Sequence, residues 1–288
     1  MPHNIPASVV TDTFSLARIS AFHAFFKAEN QAQCLGALVW HQSVAAAMWP
    51  LICLVEISLR NRLHVGLSRM YAAAWYAGAR NSMPLQTKLQ SRADELLSAT
   101  DAAGNARIGC PDDFVAAMSF GFWVEVLRQV HVNRRYRLVE AIFPNYGPLK
   151  DKKLWADAAK TWIPLLRRLE RHKRVRDQIG HHTPLWNIKY TVRETEPPRV
   201  PKSPGAMMLA LRQEVSSLRQ TLLDMDVSLA RLWDGTFFQQ AFLQLTTTNG
   251  LYYYMYHTAD SGKVLRPFRE TRYLSIAELQ ASGVPRLV

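Results

Sequence analysis

The sequence predicts an all-α protein. Apolar residues recur at helical spacing through most of the first 190 positions, and period-two alternation is nearly absent there. Clusters of Pro, Gly, Asn and Asp fall between the periodic segments, where helices must stop. With 288 residues and 48% hydrophobic content, the chain is long enough for one large or two modest domains, and too apolar to be disordered.

Taken in order, the pattern places a first helix near residues 14–30 and a second near 33–48. Pro50 then either kinks the chain or opens a third helix, where its missing N–H does no harm. The third helix, 51–71, is apolar nearly all round and so expected to be buried, except for a narrow polar stripe. Glu56, Arg60 and His64 stack at i, i+4 and i+8, with Asn61 alongside. A fourth helix spans about 85–99, and a loop rich in Gly, Asn and Asp follows at 101–111. Asp112 or Asp113 caps a fifth helix that runs to about residue 133. A shorter segment ends at the turn Phe143-Pro144-Asn145-Tyr146-Gly147-Pro148. The helix expected over 152–179 ends at Gly180, a residue suited to the left-handed conformation that closes helices.

Residues 194–205 hold four prolines and little a core can use, which marks a linker or exposed crossover. The expected organisation is therefore a helical domain over 1–193, the proline-rich linker, and a C-terminal part over 206–288. There, Leu211, Val215, Leu218, Leu222, Met225, Leu229 and Leu232 alternate steps of four and three, a heptad seam for another helix in the same chain or in a second copy. Tyr252 to Tyr256 and Val264 to Phe268 flank a turn-forming segment, and together suggest a small β-hairpin.

The net charge of +12 is uneven: residues 1–150 carry +4, residues 151–200 carry +6, and the remainder carry +2. A concentrated basic stretch fits a polyanion, because each neutralised phosphate releases counterions. Cys34, Cys53 and Cys110 lack any paired spacing for a metal or a disulfide framework, which suits a reducing cytoplasm. No secretion signal is visible, and the longest apolar run, about twelve residues from Val44, falls short of the ~20 that a spanning helix needs, so a soluble protein is expected.

The most informative run is Arg176-Asp177-Gln178-Ile179-Gly180-His181-His182-Thr183-Pro184. It sets a permanent cation near a proton-transfer group, a combination suited to phosphodiester chemistry. Spacing alone is weak, since Arg18 to His23 and Arg167 to His172 share it. The surroundings distinguish the third pair. A polar residue after the Arg, a small residue before His-His, and then Pro resemble the Arg-Asn-x-x-Ala-His-His-x-Pro run of the Abi-like (abortive infection) branch of the HEPN RNase superfamily. Two further blocks resemble that family in order: Leu54-Val55-Glu56-Ile57-Ser58-Leu59-Arg60-Asn61-Arg62 with Trp75-Tyr76, and Met118-Ser119-Phe120-Gly121-Phe122-Trp123. The resemblance spans roughly residues 14–235, and departs from the family with Asp177 in place of Asn and Gly180 in place of Ala.

The resemblance implies a HEPN-like helical bundle that acts as a homodimeric endoribonuclease, with no metal and no cofactor. On a regular helix Arg176 and His181 lie about 140° apart, so they converge only if the helix end swings the His back or a two-fold partner supplies a second set. The resemblance implies the partner. It also implies that the RNA's 2′-hydroxyl attacks the adjacent phosphate, with His181 as general base and its mate as general acid. Arg176 would stabilise the developing charge and Asp177 would orient a His. His182 is either supporting or a carbonyl cap. Glu56, Arg60 and Asn61 either fix helix register through an internal ion pair or face Arg176 and orient it.

Arg167, Arg168, Arg171, Lys173 and Arg174 lead into the motif, as a solvated face or as a track for the RNA backbone. Phe120, Phe122 and Trp123 fit a core better than a base-stacking surface. A toxin role in phage defence, with an antitoxin protein or non-coding RNA as regulator, follows only from the resemblance. The rival expectation is a non-catalytic RNA- or partner-binding protein on the same helical frame.

Overall fold

The computed structural model describes residues 12–78, 82–190 and 197–256. The protein is all-α there, with no named strand among the described residues. The described residues divide into two compact units, those before position 41 together with those after 246, and those between.

In the first unit, α1 (Leu16–Phe26) is capped by Ser15 and closed by Lys27 in the left-handed conformation. Phe22 and Phe26 are buried with Trp40, which lies edge-on to Phe26 at 5.7 Å. The Tyr252 to Tyr256 segment, expected as a strand, is instead the end of a helix, Thr248–Tyr256. Its hairpin mate at 264–268 lies outside the described residues. The helix packs closely on the preceding part of its unit: a Cβ on Gly36 would meet the Tyr254 carbonyl oxygen at 2.1 Å, so only glycine admits this close crossing.

Gly36 belongs to α2 (Gln31–Met70), a single helix of 40 residues. Pro50 neither ends nor begins a helix but sits inside this one. Interior proline costs ~3 kcal/mol, yet each fully buried Leu, Ile or Val side chain returns roughly 1.5–3 kcal/mol. Met48, Leu51, Ile52, Val55, Leu59 and Leu63 are all fully buried around and beyond Pro50, which outweighs one lost hydrogen bond. Unbroken, the helix is long and apolar enough to cross a membrane, although 44% of its most apolar stretch is buried within the protein.

In the second unit, α3 (Thr87–Leu97) follows, and the expected helix at 112–133 is split into α4 (Pro111–Ala117) and α5 (Phe120–Gln129). Extended Met118 breaks it, and Ser119 caps the new start by accepting from the Phe122 N–H. Asp113 caps α4 through the Gly109 and Cys110 amides, both at 3.0 Å. After α6 (Val132–Ile142) the chain makes two short 3-10 turns, so α7 starts at Trp162 rather than near 152 and spans Trp162–Gly180. Trp75, Tyr76, Phe114, Phe122 and Trp123 form an aromatic core, with Tyr76 stacked on Phe114 at 3.6 Å.

The helix α8 (Pro204–Met225) packs against α7 of the same chain, so residues 204–246 share a unit with 41–190 and the proline-rich segment is no boundary between the units. Leu211, Leu218, Leu222 and Met225 of the seam are fully buried. The heptad does not continue as one helix: Asp226 is extended and caps a short α9 (Val227–Arg231), leaving Leu232 exposed. A final helix of this unit, α10 (Phe237–Leu245), is tied to α8 by Arg212 on Thr246.

Candidate functional site

The C-terminal end of α7 closes differently from expectation. Gly180 remains helical, and His182 takes the left-handed conformation at φ 53°. The Thr183 N–H reaches the Gln178 carbonyl at 2.8 Å and the His182 N–H reaches that of Ile179 at 3.0 Å, the paired bonds of a Schellman closure. Pro184 follows, where a helix cannot resume. The closure does not require glycine at position 180: a Cβ there would lie 3.9 Å from Arg176 Nη1, an ordinary contact.

Arg176 is half-buried, and its Nε donates to Glu56 Oε2 at 3.4 Å. The carboxylate is 15% exposed and the guanidinium 33%, so the pair is poorly solvated on one side and open on the other. That arrangement leaves the outer donors of the fork able to meet an anion. Arg176 Nη1 also lies 3.6 Å from Asp177 Oδ1, and Asp177 Oδ2 accepts from Lys173 Nζ at 2.6 Å. Cys53 stands beside this cluster. Its thiol pKa is raised, chiefly by burial and then by the Glu56 charge, while Arg176 pulls the other way.

Three stretches distant in sequence come together around this cluster. Glu56 of the first holds Arg176 of the third. Gly121 of the second gives room to Lys173, whose Cε would lie 2.7 Å from a Cβ at that position. Trp75 and Trp123 pack against each other at 6.0 Å in the core.

The polar stripe of α2 divides among three partners. Arg60 Nη1 donates to the Ala116 carbonyl at 3.3 Å, beside the start of the second block. His64 Nδ1 accepts from Trp75 Nε1 at 3.1 Å, and burial lowers its pKa, against a weaker opposing effect of Asp112. Asn61 is exposed. His181 caps the helix with its N–H on the Asp177 carbonyl and is exposed, as is His182.

The basic stretch is split by its partners. Arg168 pairs with Asp224 at 2.5 Å, Arg171 with Glu214 at 2.6 Å, and Lys173 with Asp177. Arg167 and Arg174 are exposed and form no ion pair among the described residues. Phe120, Phe122 and Trp123 are buried core. Cys53 and Lys189 were not among the expected site residues, yet the Lys173 to Asp177 pair at i,i+4 and Cys53 at i,i+3 from Glu56 carried a legible helical signal, whereas nothing in the sequence pointed to Lys189.

Comparison of the chain with protein-family models, with curated proteins and with solved structures gives no match.

Proposed function

We propose that the protein is a metal-independent endoribonuclease, acting as a homodimer in the manner of the Abi-like HEPN proteins that its three blocks resemble. The observation that carries this reading is the guanidinium of Arg176, oriented by Glu56 and half-exposed five residues before an exposed imidazole. In the proposed reaction His181 of one protomer takes the proton of an RNA 2′-hydroxyl. The 2′-oxygen bonds to phosphorus, the bond to the 5′-oxygen breaks, and the second protomer's histidine protonates that leaving oxygen. Arg176 stabilises the charge on the non-bridging oxygens.

A two-fold partner is needed because Arg176 and His181 diverge on their shared helix. Ile57 and Val65 support such a partner. They are 45% and 46% exposed and flank exposed Asn61 on the helix that carries Glu56. Control by an antitoxin protein or non-coding RNA, a cytoplasmic location and a toxin role in phage defence belong to the same proposal.

The test is to incubate the purified protein with RNA in EDTA beside Arg176→Ala and His181→Ala. Cleavage by the unaltered protein, reduced about 10²–10⁴-fold in each variant, is the expected result. RNA bound equally by all three with no product would favour the non-catalytic rival. Asp177→Ala should slow cleavage while leaving binding intact, and an unchanged rate would remove Asp177 from the site.

A further inference from the structure

We infer that the opposite face of α7 carries a second nucleic-acid site, a basic groove that holds single-stranded RNA away from Arg176. Arg167, Arg171, Arg174 and Gln178 follow one another at i, i+4, i+7 and i+11, which keeps them within about 60° of one another around the helix and spreads them over about 16 Å. Arg176 is two residues beyond Arg174, about 200° round the same helix. The two sets of cations therefore serve different surfaces.

The groove has walls. One depression lies between Arg174, Gln178, Asn187 and Lys189, and another between Arg167, Arg174, Lys189 and Tyr190 with α8 opposite. Arg171, Arg174 and Lys189 line both, so the two adjoin. The far wall is fixed by backbone hydrogen bonds between Tyr190 and Arg199, at 2.9 and 2.8 Å.

Its electrostatics are one-sided. The two acids at the groove are already paired from within: Glu170 with Arg128, and Glu214 with Arg171. Arg167, Arg174 and Lys189 are exposed and have no ion pair among the described residues. Three like charges with no structural duty repel one another, and a polyanion relieves that repulsion. Arginine forks and a lysine in a row suit phosphates, and half-buried Tyr190 at the rim offers a ring for one base. At ~3.4 Å of axis per nucleotide in a stacked strand, the row takes about five nucleotides.

That the polyanion is RNA rests on the proposed function; the groove itself does not. The test measures anisotropy of a fluorescein-labelled 20-nucleotide single-stranded RNA with full-length Arg176→Ala, so that cleavage is absent, at 50 and 200 mM salt. Replacing Arg167, Arg174 and Lys189 together by alanine should weaken binding at least tenfold at 50 mM salt. It should also flatten the dependence of log Kd on log salt by about 2, three phosphate contacts at ~0.7 each. Circular dichroism should be unchanged, because all three side chains are exposed. Binding by the triple variant as tight as by its parent, no binding by either, or equal affinity for a glutamate-rich peptide of the same charge would overturn the groove. Cleavage by the unaltered protein with no effect of the triple variant would sink this site and spare the enzyme; binding lost in the triple variant with no cleavage anywhere would do the reverse.

Discussion

Arg176 is held by one carboxylate, and the Cys53 thiol beside them reports on that contact. Glu56 raises the thiol's pKa, second only to burial, so Glu56→Gln should lower it and increase the thiolate fraction at a given pH. Cys53 should then react faster with iodoacetamide at pH 8, and a rate equal to or below that of the parent would place Glu56 elsewhere. If the protein cleaves RNA as proposed, the same variant tests positioning: kcat should fall roughly tenfold with KM little changed, since the guanidinium remains but loses its orientation. Rescue of kcat by Glu56→Asp is not expected, because the shorter side chain cannot close a contact already at 3.4 Å.

The end of α7 presents a conflict within one element. His182 sits at φ 53°, where a side chain other than glycine is disfavoured by roughly 1 kcal/mol. His182→Gly should therefore stabilise the protein by up to about 1 kcal/mol in denaturant unfolding. If the imidazole takes part in RNA cleavage, the same variant loses activity as it gains stability. Gain of stability with full activity would leave His182 as a closing residue alone. Pro50 makes the complementary point within α2: local chemistry disfavours a helix there, and burial of the surrounding apolar residues maintains it.

Across the molecule, α7 and α8 are locked by a buried polar cluster. His172 is wholly buried; its Nδ1 lies 2.5 Å from Glu214 Oε1 and its Nε2 lies 3.0 Å from Thr221 Oγ1. Glu214 thus faces one ring nitrogen and Thr221 the other, while the Thr221 hydroxyl also donates to the Ser217 carbonyl at 3.0 Å. Burial lowers the His172 pKa below its ordinary 6.5, against an opposing pull from Glu214. Burial alone would raise the Glu214 carboxyl, but His172 and Arg171 together outweigh it and lower its pKa. Both folded values thus lie below the unfolded ones, so the unfolded chain binds more protons as acid is added. The stability from His172 is complete above about pH 6.5 and lost as pH falls through its lowered value; that from Glu214 is complete above about pH 4.5 and lost likewise. Thermal midpoints should fall steadily from pH 7 to pH 4, with a shallower fall between pH 6.5 and 5 in His172→Gln. A midpoint that rises toward acid would contradict the cluster's assigned charges.

What the sequence by itself determined is the part governed by local rules: the all-α class, α3 and α6 with their stops, and the buried seam of α8. Helical periodicity and turn residues act within a few positions, so they are legible in a single chain. Only the tertiary structure decided that α2 runs unbroken through Pro50, that Met118 divides α4 from α5, and that Tyr252 to Tyr256 are helical. It alone also sorted the basic residues of α7, assigning Arg168, Arg171 and Lys173 to carboxylates and leaving Arg167 and Arg174 exposed. The physical reason is the same in each case. Burial and ion pairing with partners distant in sequence are worth several times any local preference, and those partners are known only once the chain has packed.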